Sequence, residues 1–220
     1  MNDQPSQSLV EALERIGIEV ETSTLMGIQH YCSLLWERNE TLNLTRHTDF
    51  DTFASRDVLD TWQLSNLIRQ DAEVLDIGSG GGVPGLLLSI LRPDLRITCV
   101  DSVGKKAAVL EQFAAALEAP VEVYHNRAEE LLDSFRYDYC VARAVGPLWK
   151  ICQWFQPHWL NVGHLLAIKG PRYKDEIAEA KEKNLLNKVD LEIACSYPMP
   201  NTENESVILD LCLKTMRNPE

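Results

Sequence analysis

Hydrophobic residues recur at two different spacings along the chain, and the spacing changes near residue 70. Before that point apolar positions repeat every three to four residues, which predicts amphipathic helices over 6–16, about 23–40 and about 50–69. Beyond it, short apolar runs alternate with helical patterns. Strands are predicted at 73–77, 96–101, 121–124, 137–143 and 162–168. Helices are predicted between them, at about 84–91, 103–117, 128–133, 147–158 and 172–184.

The end of the chain departs from this alternation. Two strand patterns, at about 187–196 and 205–213, are separated only by a turn around Pro198 and Pro200, which predicts an antiparallel hairpin at a sheet edge. Strands that alternate with helices predict a parallel sheet covered on both faces. We therefore expect an α/β, Rossmann-like fold of the S-adenosylmethionine-dependent methyltransferase type over residues 71–220, as one compact unit. Residues 1–70 are expected to be a helical extension packed on it.

A glycine-rich segment follows the first predicted strand and opens the next helix. Glycines let backbone approach a ligand closely, and a helix start offers free N–H groups. Gly78-x-Gly80-x-Gly82 after Asp76 fits a loop for a sulfonium amino acid, whereas Gly80-x-Gly82-x-x-Gly85 satisfies the dinucleotide fingerprint. Asp76 favours the first interpretation, because its carboxylate can face an ammonium group, which S-adenosylmethionine has and NAD lacks.

Further candidates lie at the ends of the other predicted strands, where open α/β sheets bind ligands. Asp101 ends the second strand and can accept hydrogen bonds from ribose hydroxyls, or help to cap the next helix. Ala128 and Glu129 follow the third strand, beside the expected adenine, although Glu129 also suits a solvated first helical turn. Arg143 ends the fourth strand and needs an anionic partner, either a cofactor carboxylate or an RNA phosphate.

Charge and cysteine usage limit the function classes. The 21 basic and 33 acidic residues give a net charge of −12, which argues against a general nucleic-acid-binding protein but leaves room for a local basic face. Lys169 and Arg172 follow the fifth strand and belong to such a face. The six cysteines have no metal-ligand spacing and predict buried, reduced thiols. No signal peptide or membrane span is predicted, so we expect a cytoplasmic location.

Taken together, these motifs resemble the bacterial ribosomal small-subunit methyltransferase G family, also called glucose-inhibited division protein B. The likeness covers nearly the whole chain and rests on residues 76–85, 101–106, 143–144 and 169–170, with 36–39 and 43–45 upstream. The chain departs from the family pattern at Val83, which is usually bulkier, and at Asp57, where a histidine is usual. The second departure affects base recognition more than the cofactor site.

The resemblance implies methylation of guanine N7, at position 527 in the 530 loop of 16S ribosomal RNA, with the RNA of the 30S subunit as the partner. No metal and no membrane are expected, and nothing in the sequence demands a dimer, so we expect a monomer. Because N7 carries a lone pair and no proton, no catalytic acid or base is expected. The alternative is a methyltransferase acting on a protein or a small molecule. The candidate residues for binding S-adenosylmethionine are Asp76, Gly78, Gly80, Val83, Asp101, Ala128, Glu129 and Arg143. Those for binding the substrate are Asn43, Arg143, Lys169 and Arg172.

Overall fold

A seven-stranded sheet organises the computed structural model, which describes residues 4–217. Its strands are β1 (Glu73–Ile77), β2 (Arg96–Asp101), β3 (Val121–His125), β4 (Tyr137–Arg143), β5 (Val162–Lys169), β6 (Val189–Pro198) and β7 (Glu205–Leu213). They lie in the order β3-β2-β1-β4-β5-β7-β6. Strands β1 to β5 are parallel, and β7 runs antiparallel to both β5 and β6. The predicted fold class, a mostly parallel sheet with a terminal antiparallel hairpin, is confirmed.

The described residues also form ten α-helices. They are α1 (Gln7–Arg15), α2 (Thr22–Asn39), α3 (Phe50–Phe53), α4 (Leu59–Ser65), α5 (Gly85–Leu91), α6 (Gly104–Ala116), α7 (Ala128–Leu132), α8 (Leu148–Phe155), α9 (Tyr173–Glu182) and α10 (Lys214–Arg217). The predicted helix over 50–69 is interrupted by a π-helical turn, Ala54–Val58, and its α-helical part ends at Ser65. A wider turn of this kind accommodates an extra residue and is frequent at functional sites.

Two hydrophobic clusters cover the two faces of the sheet. Adjacent residues of β1 face opposite sides, so Val74 joins one cluster and Leu75 the other. The first cluster also holds buried residues of the amino-terminal helices, such as Leu9 and Ile28. These helices therefore pack on one face of the sheet, while the division of the chain near residue 70 stays a prediction. The outer ends of the two predicted units, residues 1–3 and 218–220, lie outside the described residues.

The cysteines follow the prediction from their spacing. All six are free thiols; five are buried and Cys195 is partly buried. The apolar surroundings account for this burial, and burial raises the pKa of the Cys140 thiol well above its ordinary value. Among residues 4–217, no helix has both the length and the apolar character that crossing a membrane requires.

Candidate active site

The carboxyl ends of the parallel strands meet along one edge of the sheet, and the glycine loop between β1 and α5 lies at its centre. Gly78, Gly80 and Gly82 all have positive φ angles, of 64°, 58° and 105°. A Cβ atom on Gly85 would lie 2.5 Å from Cys99 Sγ and 2.6 Å from Asp76 Oδ2. The glycines therefore serve both a left-handed turn and the close packing of α5 on the strands.

Asp76 supports this loop from below. Its side chain is fully buried, Oδ2 accepts the Gly85 N–H at 2.9 Å, and its backbone carbonyl accepts the Ser79 hydroxyl at 2.9 Å. Burial raises the pKa of Asp76 to about 7. The residue lines neither of the two hollows described below, and a contact of its carboxylate with a ligand ammonium group stays a prediction. Its Oδ1 is buried without a hydrogen-bond partner within the described residues, and a donor from a ligand would satisfy it.

The raised pKa of Asp76 predicts a pH-dependent stability. Below about pH 4 both the folded and the unfolded state hold the proton, and the full stability is present. Between there and about pH 7 only the folded state keeps it, so stability is lost as the pH rises. Replacing Asp76 with asparagine removes this loss. The free energy of unfolding of Asp76→Asn, relative to the native chain, should therefore rise with pH over this window by up to about 4 kcal/mol.

Denaturant unfolding at a series of pH values measures this difference. Asp175→Asn serves as the control, because Asp175 has a side chain that is 78% exposed. Its difference from the native chain should change little over the same window. If the difference in unfolding free energy from the native chain changes with pH in the same way for Asp76→Asn and Asp175→Asn, then Asp76 titrates as an ordinary surface carboxylate.

The larger of two hollows at the sheet edge has a volume of about 420 Å³. It brings together four of the predicted cofactor residues: Gly78, Asp101, Ala128 and Glu129. This volume is within the range of roughly 300–1,000 Å³ that small-molecule sites occupy. Four further residues of its wall are not among the candidate binding residues, although Lys106 lies in the 101–106 motif: Lys106, Asn126, Lys150 and Trp154.

Asp101 is the best-placed polar group of the larger hollow. It is 6% exposed; Oδ2 accepts the Gly80 N–H at 3.0 Å and Oδ1 accepts the Val103 N–H at 2.8 Å. Each carboxylate oxygen retains a further lone pair, so Asp101 can hold the loop and still accept ribose hydroxyls. Glu129, in the first turn of α7, accepts a hydrogen bond from Arg127 Nε at 2.7 Å beside the same hollow. These contacts fit a nucleoside cofactor.

The smaller hollow, of about 290 Å³, lies between the glycine loop and the amino-terminal helices. It contains the remaining predicted cofactor residues other than Asp76, namely Gly80, Val83 and Arg143. It shares Gly78, Lys106 and Ala144 with the larger hollow, so the two hollows join there.

The segment 44–47 forms a wall of the smaller hollow. Residues 43–45 contribute to the family resemblance, but only Asn43 of this region is a candidate site residue from the sequence. Asn39 shapes this segment, because its Oδ1 accepts the N–H groups of Leu44 and Thr45 at 2.8 and 2.9 Å. Tyr31 joins α2 to the glycine loop, since its hydroxyl donates to the Gly81 carbonyl at 2.7 Å. The hollow is thus built by contacts between residues far apart in sequence.

Arg143 finds its anionic partners inside the protein. Its Nε donates to Asp60 Oδ2 at 2.9 Å and its Nη1 to Asp57 Oδ1 at 2.5 Å. The hydroxyl of Tyr197, from the terminal hairpin, donates to Asp60 Oδ1 at 2.8 Å. Burial raises the pKa of Asp60. Two carboxylates of the π-helical segment and α4 thus supply an anionic partner for Arg143 that was not predicted from the sequence, and its contact with a cofactor carboxylate or an RNA phosphate stays a prediction.

The other predicted substrate residues are not gathered at the hollows. Lys169 is 8% exposed; its Nζ donates to the Gly146 carbonyl at 2.6 Å and pairs with Glu176 at 2.7 Å. It therefore ties β5 to the loop after β4 and to α9. Arg172 and Asn43 are exposed and line neither hollow. The cations that do line a hollow, and that make no ion pair within residues 4–217, are Arg46, Lys106 and Lys150.

Solved structures with similar folds include several methyltransferases. An O-methyltransferase from Bacillus cereus, in complex with SAH, has a TM-score of 0.59 at 13% identity and covers 92% of this chain and 96% of its own. Fibrillarin from Aeropyrum pernix, with natively bound S-adenosyl-L-methionine, has a TM-score of 0.51 at 16% identity and covers 71% of this chain and 75% of its own. The predicted S-adenosylmethionine-dependent methyltransferase fold is confirmed.

Sequence relatives narrow the assignment. Three proteins named ribosomal RNA small subunit methyltransferase G match most of the chain. The one from Rhodopirellula baltica is 45% identical and covers 88% of this chain and 84% of its own. That from Sorangium cellulosum is 37% identical, covering 80% and 77%, and that from Pseudomonas aeruginosa is 31% identical, covering 93% and 94%. The family model described as rRNA small subunit methyltransferase G matches residues 25–201. The chain therefore belongs to the rRNA small subunit methyltransferase G family.

Proposed function

We propose that this ribosomal RNA methyltransferase transfers the methyl group of S-adenosylmethionine to N7 of a guanine in the 530 loop of 16S ribosomal RNA. The substrate is the RNA within the small ribosomal subunit, and the active form is a monomer. One observation carries the choice of N7. Where the two hollows join, the described residues offer no carboxylate or imidazole to remove a proton from the acceptor.

Three residues line both hollows: Gly78, Ala144 and Lys106. Two of them bring only backbone and a methyl group, and the third is a lysine. Methylation of an amide, amine or hydroxyl needs a base to take the departing proton, whereas N7 carries a lone pair and no proton. The composition of the junction therefore favours N7.

One imidazole–carboxylate pair does lie nearby. His47 Nδ1 is 2.5 Å from Asp57 Oδ2 in the wall of the smaller hollow. His47 is not among the residues that the hollows share, and Asp57 is bound to Arg143 as well. A carboxylate shared with a guanidinium is a poor partner for a general base, so this pair does not supply the missing one.

The residues of the chain act through position and charge. When bound, S-adenosylmethionine supplies a methyl group on a positively charged sulfur. Asp101 is placed to accept the ribose hydroxyls, while the positive-φ glycines bring backbone close to the junction. During transfer N7 forms a bond to the methyl carbon, the carbon–sulfur bond breaks with its electrons going to sulfur, and the guanine becomes cationic. Holding these three atoms in line accounts for much of the rate.

Mapping the methyl group tests the proposal. Small subunits from a strain that lacks this methylation are incubated with the enzyme and labelled cofactor. The RNA is then analysed by mass spectrometry and by the strand cleavage that is selective for 7-methylguanosine. One methyl group per subunit is expected, on a single guanine of the 530 loop that then becomes cleavable.

Subunits reconstituted with 7-deazaguanosine at that position provide the control, since they lack N7 and should accept no methyl group. Label at a pyrimidine, at a ribose or at another atom of guanine would refute the N7 assignment while leaving the family membership intact. Sedimentation of the enzyme at working concentration tests the monomer.

A further inference from the structure

A buried ion network lies behind the smaller hollow. Asp57 and Asp60 are 3% and 6% exposed and share the single guanidinium of Arg143. The Tyr197 hydroxyl donates to Asp60, and Arg56 acts on Asp60 by its charge without forming an ion pair within residues 4–217. Arg143 binds only one oxygen of Asp57, so the second oxygen of Asp57 is left for a further donor.

His47 is the member of this network that reaches the hollow. Its Nδ1 contacts the second oxygen of Asp57 at 2.5 Å. Its backbone is fixed at two further points, because the Thr45 hydroxyl accepts its N–H at 3.0 Å and its carbonyl accepts the indole N–H of Trp36 at 2.8 Å. The imidazole is thus held at the wall of the hollow, with its side chain 25% exposed.

The hydrogen-bonding roles of the ring follow from its partner. A carboxylate only accepts hydrogen bonds, so Nδ1 donates to Asp57. Nε2 has no partner within the described residues and is the free group of the ring. When Nε2 also carries a proton, the ring can donate through it to an oxygen that enters the hollow. Arg143 lines the same hollow, but its Nε and Nη1 are already bound to carboxylates.

We propose that His47 binds a phosphate oxygen of the ribosomal RNA backbone next to the target nucleotide and so positions the substrate. A phosphodiester is the anion that RNA offers at every nucleotide, and a charge-assisted N–H···O bond suits it. The exposed Arg46 beside His47 adds to the attraction for the same backbone. Asp57 acts through His47, because it orients the ring. The proposal rests on the RNA substrate of the family and holds whichever base atom accepts the methyl group.

The test uses the salt dependence of RNA binding. Each phosphate contact that a protein makes adds about one to the slope of log K against log salt, with single strands slightly lower. His47→Ala should weaken binding to the small subunit about 10-fold at low salt and reduce the slope by about one. The turnover at saturating RNA and the affinity for S-adenosylmethionine should both stay within about twofold of the native values.

Two variants make this result decisive. His158→Ala removes a histidine that also pairs with a carboxylate, Asp133 at 3.3 Å, but lies before β5 at the opposite edge of the sheet. It should leave the slope unchanged. His47→Gln keeps a neutral donor, so it should recover part of the affinity for the small subunit but not the slope. If the alanine variant folds poorly, the slope measured for His47→Gln tests the proposal in its place. An unchanged slope with a lower turnover would overturn the proposal and place His47 against the base. Methyl mapping of the same variants reports separately on N7.

Discussion

Replacing Arg143 with alanine is expected to destabilise the fold by about 3–5 kcal/mol, because it leaves Asp57 and Asp60 buried without their cation. The same change opens the wall between the amino-terminal helices and β4, since these carboxylates lie in the π-helical segment and α4. Denaturant unfolding monitored by tryptophan fluorescence measures the loss.

A rescue experiment separates this role from ligand binding. In the variant Arg143→Ala/Asp57→Asn/Asp60→Asn, both carboxylates become neutral amides. If Arg143 serves mainly to balance these charges, the triple variant should regain at least half of the lost stability. If Arg143→Ala alone unfolds at the same denaturant concentration as the native chain but binds S-adenosylmethionine far more weakly, Arg143 serves mainly as the ligand contact that the sequence predicts.

Local sequence patterns predict part of this structure, whereas contacts between residues far apart in the chain are not predicted. The strand order, the glycine loop and the position of Asp101 follow from local patterns, because each depends on neighbouring residues or on the rule that ligands bind at the carboxyl edge. Arg143 was also placed at that edge correctly. Its partners could not be predicted, because Asp60 is 83 positions away in sequence and no periodicity links the two.

The same limit applies to the smaller hollow. Segment 44–47 breaks a helical pattern, and the sequence does not show what it packs against, yet Asn39 holds it through the N–H groups of Leu44 and Thr45. Lys169 is a second residue whose partner was not predicted from the sequence. Its position after a strand suggested a ligand contact, but Glu176, in the helix that follows β5, lies near enough to neutralise it. Side-chain pairing across elements decides which edge residues remain free for a ligand, and that pairing is a tertiary property.

Loss of the Asp101 carboxylate should have the largest effect on cofactor binding. Asp101→Ala removes acceptors for the ribose hydroxyls and releases the Gly80 N–H that the carboxylate now holds. Hydrogen bonds to a charged group contribute about 1.5–3 kcal/mol each. The dissociation constant for S-adenosylmethionine, measured by calorimetric titration, should therefore rise at least about 100-fold.

Asp101→Asn and Glu129→Gln divide this effect into its parts. The asparagine keeps one acceptor oxygen for the loop or the ribose but loses the charge, so its affinity should fall between those of the native chain and Asp101→Ala. Glu129 lies in the same hollow but is paired with Arg127 and holds no part of the loop. Its change to glutamine keeps an acceptor oxygen at this position, so binding should weaken by less than about tenfold. An equal loss in Asp101→Ala and Glu129→Gln would mean that the adenine end of the hollow, and not the ribose and the loop, determines affinity.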